Sequence, residues 1–446
     1  MIKQKKLSFN IPYLLFKLGI ILVPFDSIPI FNTNYRPISV IFFVLTFIMI
    51  FPRLINKKFQ NTTLILLFLY FYGVTISYLL SRFKYNNYKG FIDFTITFTL
   101  SIITYIVCNY YFSINRKFSK NHNEYIDNFF KLSVNKCIYT IILIIGLLQI
   151  LNLIHIVPDV FVQAIGKVIS GSVRNDRVKL VSSEPSWASI QLLYILPILL
   201  YLKSRHKNKY YKIAFYFSIV LFIGTFSILG FIAISLAYII YLVVNSKNKF
   251  LLIFKIVFAL ILVICFLKIM TIIGNTVWKN SYFTNHFNIF NNLDSWNKFY
   301  DFLLTDDSAY VRIIMPLVGV IMFLRNPFIG IGGGNYRFEF NNIMLSYFPD
   351  GLAKGEIYSN DINLTSNPRN LYIKFLCELG IIGSVILTVF IWNILNHIKF
   401  IINPEIKKYI IFWIICVLCM FLQFDSLACV NLWIALAFIN NLEIDR

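Results

Sequence analysis

Long apolar stretches constrain this chain more than any other feature. Residues 62–81, "TTLILLFLYFYGVTISYLLS", carry no charge over twenty positions. A helix of about 20 residues crosses a hydrocarbon core of roughly 30 Å. Stretches of this kind recur along the whole 446-residue chain, near 11–31, 37–52, 62–81, 91–112, 137–157, 186–202, 211–227, 229–246, 250–273, 371–398, 409–424 and 426–441. The pair at 211–246 is separated on length. One helix of its 36 residues would be about 54 Å long, so a tight turn is placed at Ser227–Gly230. The expectation is an all-α polytopic membrane protein with about twelve transmembrane helices, a single integral membrane domain over 1–446.

Composition excludes a soluble chain. Hydrophobic residues make up 58%, charged ones only 14%, and mean hydropathy is +0.71. A net charge of +21 would suggest nucleic acid in a soluble protein. Here Lys and Arg sit in short loops between spans, as the positive-inside rule requires, so no nucleic-acid partner is expected. Lys3, Lys5 and Lys6 place the N-terminus in the cytoplasm. Alternation then puts Arg53, Lys57 and Lys58, Arg116, Lys117 and Lys120, Lys203, Arg205, Lys207 and Lys209, Lys247 and Lys249, and Lys407 and Lys408 on the same side. Arg82, Lys84 and Lys89 are the exception. Both termini are expected in the cytoplasm and the protein in the cytoplasmic membrane. The start, "MIKQKKLSFNIPYLLFKLGIILVPF", lacks a small-x-small cleavage site and reads as an uncleaved first span.

Tyr310–Pro327, "YVRIIMPLVGVIMFLRNP", is apolar but interrupted by Pro316. A crossing here would invert Lys407 and Lys408, so an interfacial or re-entrant helix near 310–325 is expected, with Asp307 or Ser308 as its N-cap. Two long extracytoplasmic loops result, 158–185 and the larger 274–370. Loops of that length carry function.

The first loop contains "GSVRNDRVKLVSSEPSW", with Arg174, Arg177, Lys179 and Glu184. Glu184 before Pro185 reads as a helix-start acid or as a functional carboxylate. The second loop holds Arg312, Arg325, "NPFIGIGGGNY", Arg337 and Arg369. Its glycines match neither the Walker nor the dinucleotide pattern and read as a tight turn. Arginines offer paired donors to phosphate oxygens. A lipid-linked pyrophosphate and ordinary lipid head groups both fit them. The stretch "SNPRNLYIKFLCELGIIG" opens a membrane helix with Arg369 and Asn370, and spaces Lys374 and Glu378 for an i,i+4 pair. The seven cysteines, Cys108, Cys137, Cys265, Cys377, Cys416, Cys419 and Cys429, lie in or beside apolar segments. Even the C-x-x-C of Cys416 and Cys419 reads as helix packing, not redox or zinc chemistry.

Four stretches together resemble the O-antigen polymerase and ligase superfamily of membrane glycosyltransferases. They are "SSEPSWASI", "TFSILGFIAISL", "YVRIIMPLVGVIMFLRNPFIGIGGGNY" and "PRNLYIKFLCELGIIG". The second lacks the arginine often found in that motif. In the fourth, Arg369 stands where the family often has a histidine. His155 is the nearest alternative by topology and reads as structural.

The resemblance implies a fold similar to GT-C-type glycosyltransferases. It implies polymerisation of repeat units of an O-antigen, capsule or exopolysaccharide, each carried on a polyprenyl pyrophosphate, without metal or other cofactor. Glu184, Arg312 and Arg369 become candidate catalytic residues, with Glu184 as general base. Arg174, Arg177, Arg337 and Asn370 become candidate substrate-binding residues. The implied partners are the lipid-linked donor and acceptor and membrane lipids, and binding of a chain-length regulator is left open. Competing readings are a ligase that moves finished glycan to another acceptor, a transporter of the lipid-linked unit, and a non-catalytic scaffold. Few central charges, mainly Lys17 and Lys268, speak against a transporter.

Overall fold

The computed structural model describes residues 10–28, 37–56, 59–246, 307–350 and 367–442, with isolated positions between 253 and 304. The regular elements of these residues are helical. They are α1 (Ile11–Ile21), α2 (Ile38–Ile55), α3 (Asn61–Leu80), α4 (Lys89–Phe118), α5 (His122–Ser133), α6 (Lys136–Leu153), α7 (Asp159–Ser170) and α8 (Pro185–Arg205). They continue with α9 (Lys209–Gly224), α10 (Ile228–Asn245), α11 (Asp307–Arg325), α12 (Tyr336–Tyr347), α13 (Leu371–Leu395), α14 (Pro404–Met420) and α15 (Val430–Asn440). Each expected span within the described residues contains a helix, although the one read over 11–31 is helical only to Ile21 and its residues 29–31, like the span at 250–273, lie outside the described residues.

Seven of the described helices, α2, α3, α4, α6, α8, α10 and α13, are long and apolar enough to cross a membrane. The remaining spans are shorter. α1 and α15 have 11 residues each, α9 has 16 and α14 has 17. The full set of twelve crossings is thus not reproduced by length alone.

Burial sorts the helices into a centre and a sheath. Of the apolar stretch of α8, 83% is buried, against 17% for α10. Every residue of α15 is buried. These two are the axis of the bundle, and α10 faces outward, as a lipid-facing helix must. α8 packs on α9 and α14, α15 on α4, α13 on α3, and α11 on α13. Aromatic rings fill the centre. Phe129 and Phe438 stack with centroids 4.1 Å apart, and Trp413 meets both edge-on or tilted within 5.9 Å.

The turn between α9 and α10 falls at Thr225–Ser227, where Ser227 Oγ accepts the Gly230 N–H at 3.2 Å. The two faces of the bundle differ in charge. The ends of α2, α4 and α8 and the start of α14 bring Arg53, Arg116, Lys117, Lys203, Arg205, Lys407 and Lys408 to one face, called here the basic face. The opposite, loop-bearing face carries α7, α11 and α12.

Three helices depart from the sequence expectation. α5, α7 and α12 lie where the sequence suggests loops, and each has only 12 residues. α5 is amphipathic and begins with a capping box. Asn121 accepts the Glu124 N–H at 2.8 Å, and Glu124 accepts the Lys120 N–H at 2.7 Å. It closes the basic face. His206 Nε2 meets Asp127 at 2.7 Å, and the His122 ring meets the Leu442 carbonyl at 2.8 Å. α11 is a continuous helix of 19 residues that runs through Pro316, where the sequence suggested an interruption. It begins at Asp307, and its capping contacts lie outside the described residues.

The cysteines of the described residues are free, and Cys416 and Cys419 are buried in α14. Cys265 lies outside the described residues. His155 is exposed in a left-handed turn that ends α6.

Candidate active site at the loop-bearing face

α13 organises this face. Asn370 is its N-cap. Its Oδ1 accepts the N–H groups of Tyr372 and Ile373 at 3.0 and 3.1 Å, and its Nδ2 donates to the Leu422 carbonyl at 3.1 Å. Arg369 precedes it with φ +53°, in the left-handed region. A non-glycine residue there carries strain of order 1 kcal/mol or more. Asp425 holds it in place by accepting the Arg369 N–H at 3.1 Å. Asp425 belongs to the turn between α14 and α15 and is 9% exposed. No sequence pattern marks it, because a lone aspartate between two spans reads as a solvated turn.

Gly380 breaks α13 with φ +65° and ψ −167°. A broken helix in a membrane needs other partners for its freed backbone groups. The glycine-rich segment supplies them. Ile331 and Gly332 N–H groups donate to the Cys377 and Glu378 carbonyls at 2.9 and 2.8 Å. Ile381 N–H donates back to Pro327 at 2.8 Å, and Tyr72 Oη donates to Leu379 at 3.2 Å. The segment thus pairs with the broken helix as a strand would. α11 runs alongside α13, with Gly319 against Ile373, and the chain turns at Gly330 back towards α4. At Gly334 (φ +75°) it meets Gly90 backbone to backbone, where a Cβ would overlap the Gly90 carbonyl. The glycines thus form the expected tight turn in which backbone approaches backbone.

Charges converge above this contact. Arg337 is buried; its Nη2 meets Asp93 at 2.6 Å and its Nε donates to the Gly334 carbonyl at 3.3 Å. Glu339 takes Lys84 at 2.7 Å and the Tyr85 hydroxyl at 2.9 Å. Burial raises the Glu339 carboxyl pKa, but these two partners outweigh it and leave it below the ordinary value. Tyr336 donates to the Met315 carbonyl at 2.7 Å. Burial first, then the charges of Cys377, Asp425 and Glu378, hold its phenol well above the usual range, against the pull of Arg369. Lys374 lies within electrostatic reach of Glu378, Asp425 and Arg337. The expected Lys374–Glu378 ion pair does not close to 4.0 Å. The buried Glu378 instead meets the glycine segment through its main chain, its carbonyl accepting the Gly332 N–H at 2.8 Å.

The first loop is folded, too. Arg174 Nε and Arg177 Nε share the two oxygens of Asp176, at 2.8 and 3.1 Å. Arg177 is buried and Arg174 exposed, so a candidate anion contact on this loop falls mainly to Arg174. Lys179 is buried, with Nζ donating to the Ser172 carbonyl at 2.6 Å. Burial lowers its pKa to about 8. Gln149 pins the loop by accepting the Lys179 and Leu180 N–H groups at 3.0 and 2.8 Å. Glu184 is the N-cap residue of α8 but makes no side-chain cap bond; the Ser186 hydroxyl donates to it at 3.1 Å. One turn on, Trp187 packs edge-on against Phe424, neighbour of Asp425, at 5.9 Å. That contact ties the start of α8 to the turn beneath Arg369. Arg312 is half-buried on α11.

Asp26 is a second residue that the sequence did not flag. It is 1% exposed and accepts from Ser27 Oγ (2.7 Å), Ser182 Oγ (3.1 Å) and Gln191 Nε2 (2.9 Å). Gln191 in turn accepts from Asn431 at 3.1 Å. The network joins the end of the first loop to both axial helices. Asp26→Ala leaves these donors buried without a partner and is expected to cost about 1–3 kcal/mol. The check is the unfolding midpoint in detergent; an unchanged midpoint would remove Asp26 from the scaffold of the site.

These features define a multi-pass helical membrane protein with a broken helix, an inserted glycine segment and a charged cluster at one face. Residues 213–388 match the family model described as O-antigen ligase. Over that stretch the chain is similar to the O-antigen polymerase/ligase superfamily, a group of membrane glycosyltransferase-like enzymes. The match contains Arg312, Arg337, Arg369 and Asn370, and leaves Arg174, Arg177, Glu184 and Asp425 outside. No curated protein matches the chain.

Proposed function

We propose that the chain is a polysaccharide polymerase. It joins oligosaccharide repeat units carried on polyprenyl pyrophosphate, with the loop-bearing face outside the cytoplasmic membrane and the basic face in the cytoplasm. The observation that carries this reading is the arrangement at the head of α13. Arg369, held by Asp425, and Lys374 stand together on the loop-bearing face, inside the part of the chain that matches the family.

The acceptor hydroxyl attacks the anomeric carbon of the donor glycan. The bond from that carbon to the pyrophosphate oxygen breaks, and polyprenyl pyrophosphate leaves with the bonding electrons. Arg369 and Arg312 are the candidate groups to take the developing negative charge, and a guanidinium does so at any physiological pH. The hydroxyl proton passes to a carboxylate. Glu184 is the candidate base, and Asp425 holds Arg369 in position. Arg337 is committed to Asp93 and Gly334, so it shapes the site. Arg174 reaches a head group from the first loop. The products are a lengthened lipid-linked glycan, free polyprenyl pyrophosphate and a proton.

Cells lacking the protein are expected to show surface glycan of single repeat units, with no long chains, on a gel profile. Accumulation of full-length chains on the lipid carrier would mean ligation instead.

A further inference from the structure

We infer that the basic face holds a binding site for a phosphate-headed anionic lipid, in the cavity between α1, the end of α4 and the amphipathic α5. The site lies on the opposite face from the proposed reaction and does not rest on that reading. The cavity measures about 510 Å³, within the size range of sites for small molecules. Phe112, Phe129 and Tyr13 line it together with Lys17, Asn128, Lys131 and Glu124, whose carboxylate is taken up by the Lys120 N–H at 2.7 Å. Aromatic walls with a few polar groups match the start of an acyl chain and a head group.

The charges select the sign of that head. Lys131 is already paired with Asp127 at 2.6 Å. Lys17 forms no ion pair within 4.0 Å among the described residues; its Nζ stands 4.4 Å from the Tyr13 ring centroid. Tyr13 itself is fixed by donation to Asn115 at 3.0 Å. Lys17 sits in the middle of α1, an apolar helix of 11 residues otherwise without charge. A lysine in such a helix extends its ammonium towards the interface. Here the cavity lies in its path, and a lipid phosphate would complete the pair. α5 contributes by its placement. Its apolar face, with Tyr125, Phe129 and Phe130, is buried in the bundle, and its polar face looks towards the head-group layer. A lipid bound here would tie α1 to α5.

The test uses the full chain in detergent, mixed with equal amounts of phosphatidylglycerol and phosphatidylcholine, and native mass spectrometry of what stays bound. Wild type is expected to retain phosphatidylglycerol about fivefold over phosphatidylcholine, the effect of one lysine on an anionic head. Lys17→Gln should lose that preference and Lys17→Arg should keep it. Asn128→Trp, which fills the cavity mouth and leaves Lys17, should lower retention of both lipids and serves if Lys17→Gln does not fold. Equal retention of the two lipids by wild type would overturn the site. So would an unchanged preference in Lys17→Gln. Release of the lipid by excess inorganic phosphate would assign the cavity to free phosphate instead of a lipid.

Discussion

Arg369→Ala is expected to reduce glycan chain extension by about a hundredfold or more, while the protein stays folded in the membrane. The estimate follows from removing one group that stabilises developing charge, an effect of about 10²–10³ in rate. Folding should survive because the contact that fixes this turn is made by the Arg369 backbone N–H to Asp425, and alanine retains it. The side chain is half-buried at the head of α13. Arg369→Lys keeps the charge and loses the fork, so it should fall between the two. Arg369→Gly relaxes the left-handed backbone and should be at least as stable as wild type, yet inactive. The readout is glycan length on a gel, normalised to the amount of protein in the membrane. Wild-type chain length in the alanine variant would remove Arg369 from the site.

Gly334→Ala is expected to have the largest effect on folding, above about 4 kcal/mol. Two causes act together. The residue holds φ +75°, and its Cβ would overlap the Gly90 carbonyl and main chain. Neither backbone can yield, because Gly90 lies in the first turn of α4 and Gly334 precedes α12. Gly90→Ala should fail in the same way, since its Cβ meets the Gly334 carbonyl. Gly19→Ala is the control. There the Cβ would come within 2.8 Å of the Phe43 ring, a side chain that can turn aside, and the cost should stay near 1–3 kcal/mol. Size-exclusion profiles of detergent-solubilised protein separate the cases. A monodisperse Gly334→Ala protein at wild-type yield would show that the loop does not depend on this close approach.

The parts of the fold that were legible in the sequence are those fixed by local pattern. Apolar runs located α3, α4, α8 and α13 because each is a continuous lipid-length stretch. Asn370 was legible as part of a helix cap, since capping acts over three residues. What remained hidden depends on distant packing. Arg337 reads as a ligand-seeking cation beside glycines, but its partner Asp93 lies 244 residues away. Asp425 acquires a role only when the α14–α15 turn meets Arg369, 56 residues upstream. Lys374 and Glu378 have the spacing of a pair, but the two do not close to 4.0 Å in the folded chain. α5 was missed because one short amphipathic helix weighs little beside neighbouring membrane spans, although its Asn121 and Glu124 capping box was present.

The hydrogen bonds between residues 327–332 and the broken part of α13 set a limit on how the protein can be cut or recombined. The boundary of the loop as a part does not lie where the loop ends in sequence. Two stretches separated by some fifty residues form one joint, and each completes the other's backbone. A graft of the large loop onto a related bundle has to carry the upper half of α13 with it, through Ile382. An insertion or deletion within either stretch shifts the register of both. Chimeras that respect this joint should assemble, and those that cut between its two sides should not.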